Sequence, residues 1–217
     1  CICLLFLAFS SVNDHGFGIN TDLFSYIEKN EEQRKKILSI RPFANQKYAN
    51  DLTVKAIMEL SKSDIFNELE FRIIGKGELF HSTVKPLRRF SNVILEERFL
   101  RQEDIAVLHK EYGIFLVPTR MDAQGVSRDE AMSSGLVPIT NRVAAIPEFV
   151  DEKTGILADP EDYIGLAEGI KKLYYDKELF KNLSRQAAER VRRQSGLAQT
   201  IIKELDLIEN KNIGGKR

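Results

Sequence analysis

From Ile37 onward, short apolar runs alternate with stretches of helical spacing, and this alternation limits the chain to one class of architecture. Ile37-Leu38-Ser39-Ile40, Leu69 to Ile74, Asn92 to Leu95, Gly113 to Val117 and Leu136 to Thr140 are too short for buried helices and read as strands. Between them, helical patterns are expected after a cap at Asn50 or Asp51, with Leu52, Ala56 and Leu60 on one face. Further helices are expected over Glu78 to Phe90, Gln102 to Lys110 and Ser127 to Ser134, the last stopped by Gly135. Beyond Gly155-Ile156-Leu157 the chain reads as helical from Glu161 through Glu209. Strands alternating with helices at this spacing predict βαβ units, right-handed crossovers and a Rossmann-like parallel sheet with helices on both faces. Binding sites in such sheets lie beyond the carboxyl ends of the strands, here the loops after Ile40, Ile74, Leu95, Val117 and Thr140.

With 217 residues the chain is long enough to bury about 70% of its unfolded surface, so one domain is expected over residues 15–210. Residues 1–14 are left unassigned, and the Gly- and Lys-rich tail over 211–217 is expected to fray. The run Cys1 to Phe9 is too short to span a bilayer and has no basic flank, so it is expected to be a severed or foreign end of a longer sequence. Cys1 and Cys3 with His15, His81 and His109 make a poor metal set, and both thiols are expected to be free in a reducing compartment. The 32 basic and 32 acidic residues cancel, which argues against a nucleic-acid footprint. An anion must therefore be held by a local site.

Arg41 ends the first strand and Lys47 follows six residues later, so two cations stand at the carboxyl edge of the sheet. Together they suit a diphosphate, at ~1.5–3 kcal/mol for each charge-assisted bond. Taken alone, the pair reads first as solvated loop charge. Gly75-Lys76-Gly77 lacks the third glycine of a dinucleotide fingerprint and serves as a turn, although Gly75 also permits close approach to a ligand. In Pro118 to Thr140, Asp122 and Glu130 are separated by seven residues, with Gly125 between them and a helix starting near Ser127. The helix start suits a phosphate, and the carboxylates suit hydroxyls of a sugar or ribose. The alternative is equally open: Ser127 to Glu130 fits a capping box, and Asp122 fits a turn. Lys171-Lys172 and Arg192-Arg193 alternate with apolar residues and read as wet helix faces.

The stretch from Gly16 to Glu209 resembles the C-terminal, donor-binding domain of retaining GT-B glycosyltransferases of family 4. The resemblance rests on ordered motifs: Phe17 to Phe24 as the exit from an interdomain linker, Ser39-Ile40-Arg41 with Lys47, Asp122 to Glu130 as an E-x7-E element continued by Ala131 to Gly135, Ile146-Pro147-Glu148, and Thr154 to Leu157. It implies that Arg41 and Lys47 bind the donor diphosphate and that the amides through Ala123, Gln124, Gly125 and Val126 face the donor. It further implies that Asp122 binds the transferred sugar, that Glu130 binds the ribose, and that Arg98 and Phe99 lie toward the base; Gly75 is counted with the donor-binding residues. Arg41, Lys47, Asp122 and Glu130 would be the catalytic set. A UDP- or GDP-sugar is the implied donor, the cations replace a metal, and no Asp-x-Asp motif exists to hold one. Three departures stand out: Asp122 replaces the usual Glu, Ala144-Ala145 stands where Gly-Gly is common, and no N-terminal acceptor domain precedes Gly16. The chain is therefore expected to bind a nucleotide sugar for retaining transfer and to be inactive alone. Its acceptor (a glycan, lipid or small molecule) would meet the missing domain. A donor-binding subunit of a split enzyme is the alternative, and a sugar-nucleotide epimerase ranks below it. The expected location is the cytoplasm or the inner face of the membrane, with membrane contact unassigned and no nucleic-acid partner.

Overall fold

In the computed structural model, which describes residues 18–202 and 205, the apolar runs lie side by side in one six-stranded sheet. The strands are β1 (Lys36–Ile40), β2 (Glu70–Gly75), β3 (Val93–Glu97), β4 (Ile114–Leu116), β5 (Val137–Asn141) and β6 (Ile156–Ala158). Their order is β3-β2-β1-β4-β5-β6, and every pairing is parallel. Parallel neighbours need crossovers, which α1 (Asn50–Leu60), α2 (Phe80–Val84), α3 (Gln102–Glu111), α4 (Val126–Ser133) and α5 (Ile146–Phe149) help to supply. The helices α6 (Tyr163–Tyr175) and α7 (Lys177–Gln194) close the domain.

Side-chain alternation along the strands divides the interior into two cores. Ile37, Phe71, Ile73, Ile114, Leu116, Val137 and Ile139 face one core with α1 and α6, while Leu38, Ile74, Phe115 and Val117 face the other with Leu108 of α3 and Ala131 of α4. Each fully buried aliphatic or Phe side chain here contributes about 1.5–3 kcal/mol of transfer free energy. A third cluster joins Ile19, Met132 of α4, Ile146 and Val150 to Ala187 and Val191 of α7.

The expected alternation is present, with ends displaced by a residue or two. The helix expected over Glu78 to Phe90 divides into α2 and a 3-10 turn over Lys85–Arg89, because Pro86 has no N–H to continue the ladder. The cap of α1 is neither Asn50 nor Asp51 but Ala49, held at φ 50°; the Asn50 amide instead donates to the Pro42 carbonyl at 2.8 Å. The long helix expected from Glu161 breaks at Asp176, whose carboxylate caps α7 through the Leu179 amide, and α7 ends before Ser195. Gly196 then bridges to Ile19. The expectations for residues 1–14, for both cysteines and for 211–217 lie outside the described residues, as does the end of the helical stretch toward Glu209. Among the described residues no helix is long and apolar enough to cross a membrane.

Candidate functional site

Strand order reverses between β1 and β4, and the loops leaving their carboxyl ends part to form a crevice. A cleft of about 620 Å³ lies there, walled by Arg41, Pro42 and Tyr48 on one side and by Asp122 to Ser127 on the other. Gly75, Lys76, Arg98, Phe99, Gln102 and Glu130 also line it, over an apolar floor of Ile40, Leu100 and Ile105. The topology thus brings together ten of the eleven expected site residues: Arg41, Gly75, Arg98, Phe99, Asp122, Ala123, Gln124, Gly125, Val126 and Glu130. Lys47 is the exception. It is exposed outside the lining, with its ammonium 5.1 Å from the Tyr48 ring centre, because it sits in a tight 3-10 turn over Gln46–Tyr48.

Arg41 continues the sheet by one bond, its amide donating to the Ile74 carbonyl at 3.1 Å, so its side chain leaves from the strand edge into the crevice. It is only 6% exposed, and burial lowers its pKa against the opposing pull of Asp122. One terminal nitrogen lies 3.7 Å from Asp122 Oδ2, and the guanidinium carbon lies 5.1 Å from the Tyr48 ring centre. Its Nε and Nη2 have no hydrogen-bond partner among the described residues. A buried guanidinium with two unused donors is costly, and an anion in the cleft would satisfy them.

The two glycines after β2 serve the packing of this wall. A side chain on Gly75 would begin 1.9 Å from the Arg41 carbonyl oxygen, and one on Gly77 would begin 2.4 Å from the Phe43 carbonyl carbon. Their absence lets the Lys76 carbonyl accept from the Phe43 amide at 2.9 Å. Gly75 therefore acts chiefly through backbone approach to Arg41, and it reaches the cleft as well.

On the opposite wall, Gly125 takes a left-handed φ of 84° and α4 starts at Val126 without a side-chain cap. The capping box open to Ser127 and Glu130 is therefore not formed. A start one residue earlier turns Glu130 into the cleft, 8% exposed, with Gln102 Nε2 3.4 Å from Oε1. Burial, aided by neighbouring Asp129, raises the Glu130 pKa to about 7. Beneath the loop lies a buried ion pair invisible to spacing arguments. Arg128 donates to Asp129 Oδ1 through Nε at 3.1 Å and Nη2 at 2.7 Å, and also to the Gln124 carbonyl. Arg98 and Phe99 edge the far side, Arg98 bound to Glu96 at 2.5 Å and the Phe99 ring 84% exposed.

Tyr48, Gln102 and Lys76 line the cleft but were not singled out from the sequence. An aromatic after Lys47 was the signal for Tyr48, since a ring there can lie against both cations. Nothing in the pattern marks Gln102. Among the described residues no group of three or more His, Cys, Asp or Glu side chains could share a metal ion. Chemically, the cleft offers cationic donors and backbone amides for a phosphate, with two carboxylates for hydroxyl groups.

Comparison with known proteins bears on the family and the fold. Residues 34–176 match the family model described as glycosyl transferases group 1. N-acetyl-alpha-D-glucosaminyl L-malate synthase of Bacillus anthracis is 26% identical over 167 residues, covering 75% of this chain and 42% of that protein. The crystal structure of the C-terminal domain of a group 1 glycosyl transferase from Francisella tularensis superposes with a TM-score of 0.68 at 19% identity, covering 82% of this chain and 99% of that one. A mutant of S. aureus TarM, solved with UDP among its ligands, gives 0.68 at 18% identity, covering 92% of this chain and 38% of that one. The chain spans less than half the length of the curated relatives it matches. The matched residues run from the segment before β1 to the end of α6 and include both walls of the cleft, so this chain belongs to the group 1 glycosyl transferases.

Proposed function

We propose that the cleft binds a nucleoside-diphosphate sugar and serves its retaining transfer to an acceptor held by residues outside the cleft. The observation that carries this reading is Arg41: a nearly buried guanidinium with two unused donors, at the switch point of a parallel sheet and facing a glycine-containing loop. In this reading Arg41, assisted by Lys47, stabilises negative charge on the departing diphosphate. The amides at Gly125 and Val126 meet phosphate at the start of α4. Asp122 accepts from hydroxyls of the transferred sugar, Glu130 from those of the ribose, and the Phe99 ring offers a surface to the base. The relatives' names concern different sugars, so the assignment stops at a uridine or guanosine diphosphate donor, without a resident metal. The UDP in the TarM structure favours uridine.

Thermal denaturation against uridine, guanosine and adenosine diphosphates and their hexose conjugates tests the reading. A ligand at a hundred times its dissociation constant stabilises the fold by ~2.7 kcal/mol, a shift of a few degrees. The expected result is a base-selective shift that Arg41→Ala abolishes. A folded protein unmoved by every nucleotide would rule the cleft out as a donor site.

Glu130 adds a pH dependence. If its carboxylate accepts from ribose hydroxyls, the bound form is ionised, whereas the free group titrates at about 7. Affinity for the diphosphate hexose is then constant above pH 7 and falls about tenfold per unit below it. Glu130→Gln should bind more weakly but with a flat profile. A flat wild-type profile between pH 5.5 and 8, measured by calorimetry, would remove Glu130 from the ribose site.

A further inference from the structure

We infer that Arg120, which is outside the cleft, is a positioning residue that fixes the spacing of the two cleft walls; this rests on the donor-binding reading above. Arg120 lies two residues before Asp122, on the β4–α4 loop. Its guanidinium uses all five N–H groups. Nη1 and Nη2 grip Asp51 at 2.7 and 2.9 Å, at the start of α1. Nε and Nη2 grip Glu161 at 2.6 and 2.8 Å, on the β6–α6 loop, where Glu161 is held at a left-handed φ of 60°. Nη1 also donates to the Gln46 carbonyl at 2.8 Å, and the Arg120 amide donates to the Lys47 carbonyl at 2.9 Å.

Three loops at the carboxyl edge of the sheet are therefore tied to one side chain. The tied carbonyls belong to the turn that carries Lys47 and Tyr48, and the Tyr48 ring is the surface against which Arg41 lies. Arg120 thus connects the cationic wall to the wall that holds Asp122 and Gly125. Stability is a poor explanation for so complete a network, because its members are 28%, 39% and 57% exposed and exposed ion pairs contribute little. Geometry is the better one: a planar fork with two bidentate partners fixes direction as well as distance. Arg41 and the loop across the cleft then meet a diphosphate at a distance already set, which saves the ordering that a loose loop would need on binding.

The test is calorimetric titration of the full 217-residue chain with uridine and guanosine mono- and diphosphates. It compares wild type with Arg120→Gln, Arg120→Lys and Glu161→Gln, with folding checked by circular dichroism. For the base that binds, Arg120→Gln should weaken the diphosphate about tenfold and the monophosphate less than about twofold, so that the gain from the second phosphate shrinks. Arg120→Lys keeps the charge without the fork and should not restore it, and Glu161→Gln should lose part of it. Equal losses for both ligands would indicate general loosening and overturn the positioning role, as would unchanged affinities. If wild type binds neither base, the donor-site reading fails and takes this inference with it.

Discussion

Asp129→Ala should cost about 3–5 kcal/mol of stability, because it strands the Arg128 guanidinium in the interior without its counter-charge. The two side chains are 1% and 2% exposed, and Arg128 Nη1 already has no partner among the described residues. Around them lie the Gln124 carbonyl, the Phe149 ring at 5.2 Å from the guanidinium carbon, and Ser195 beyond the end of α7. Burial raises the Asp129 pKa even with Arg128 beside it, so desolvation outweighs attraction at this position. The same reasoning predicts that replacing both partners, Arg128→Met with Asp129→Leu, is close to neutral or stabilising by about 1–4 kcal/mol. Urea unfolding of Arg128→Met, of Asp129→Leu and of the double variant forms a complete cycle, with Asp129→Ala measured beside it. A loss below about 1 kcal/mol for Asp129→Ala would mean that the carboxylate does not compensate the guanidinium.

That pair also marks where sequence reasoning reaches its end. The alternation of apolar runs located the sheet and both cleft walls, since strand identity follows from apolar spacing and loop position follows from strand identity. Ser127 to Glu130 left a capping box open as an alternative because cap chemistry depends on the residue where the helix begins, and the left-handed Gly125 moves that start to Val126. Lys47 stands at the expected spacing, but spacing does not specify a side-chain direction, and the 3-10 turn lays it against Tyr48. Arg128, Asp129 and Arg120 gave no signal at all, because a charged residue in a sequence reads as solvated. Their burial or saturation comes from partners distant in the chain: Arg120 meets Glu161 forty-one residues away, and Asp51 sixty-nine residues away.

His109 carries the largest expected dependence on pH. It lies at 0% exposure on α3, between the Phe24 and Phe115 rings at 5.5 and 5.9 Å. The Ser134 hydroxyl donates to the Glu130 carbonyl at 3.1 Å, so it accepts from His109 Nδ1–H at 3.2 Å. Nε2 then keeps a bare lone pair in an apolar wall, with no partner among the described residues. Burial, reinforced by the Lys29 ammonium that donates to the His109 carbonyl, lowers the pKa to about 3. The unfolded chain titrates this ring near 6.5, so between about 6.5 and 3 the unfolded state binds one proton more than the folded state. Stability is therefore fully present above about 6.5 and falls with pH below it, by about 5 kcal/mol once pH 3 is reached. A loss of that size is comparable to the whole stability of many domains. Other carboxylates add to the acid slope, notably Asp51 and Asp151 with their arginine partners, so the comparison must be with a variant. His109→Phe retains a ring of similar volume, gives up one hydrogen bond worth about 1 kcal/mol, and removes the titrating group. Urea unfolding at pH 7, 5.5 and 4 should show wild type more stable at pH 7 and the variant more stable at pH 4. Parallel slopes in the two proteins would mean that His109 accepts its proton in the folded state, and that the apolar wall around Nε2 opens to water.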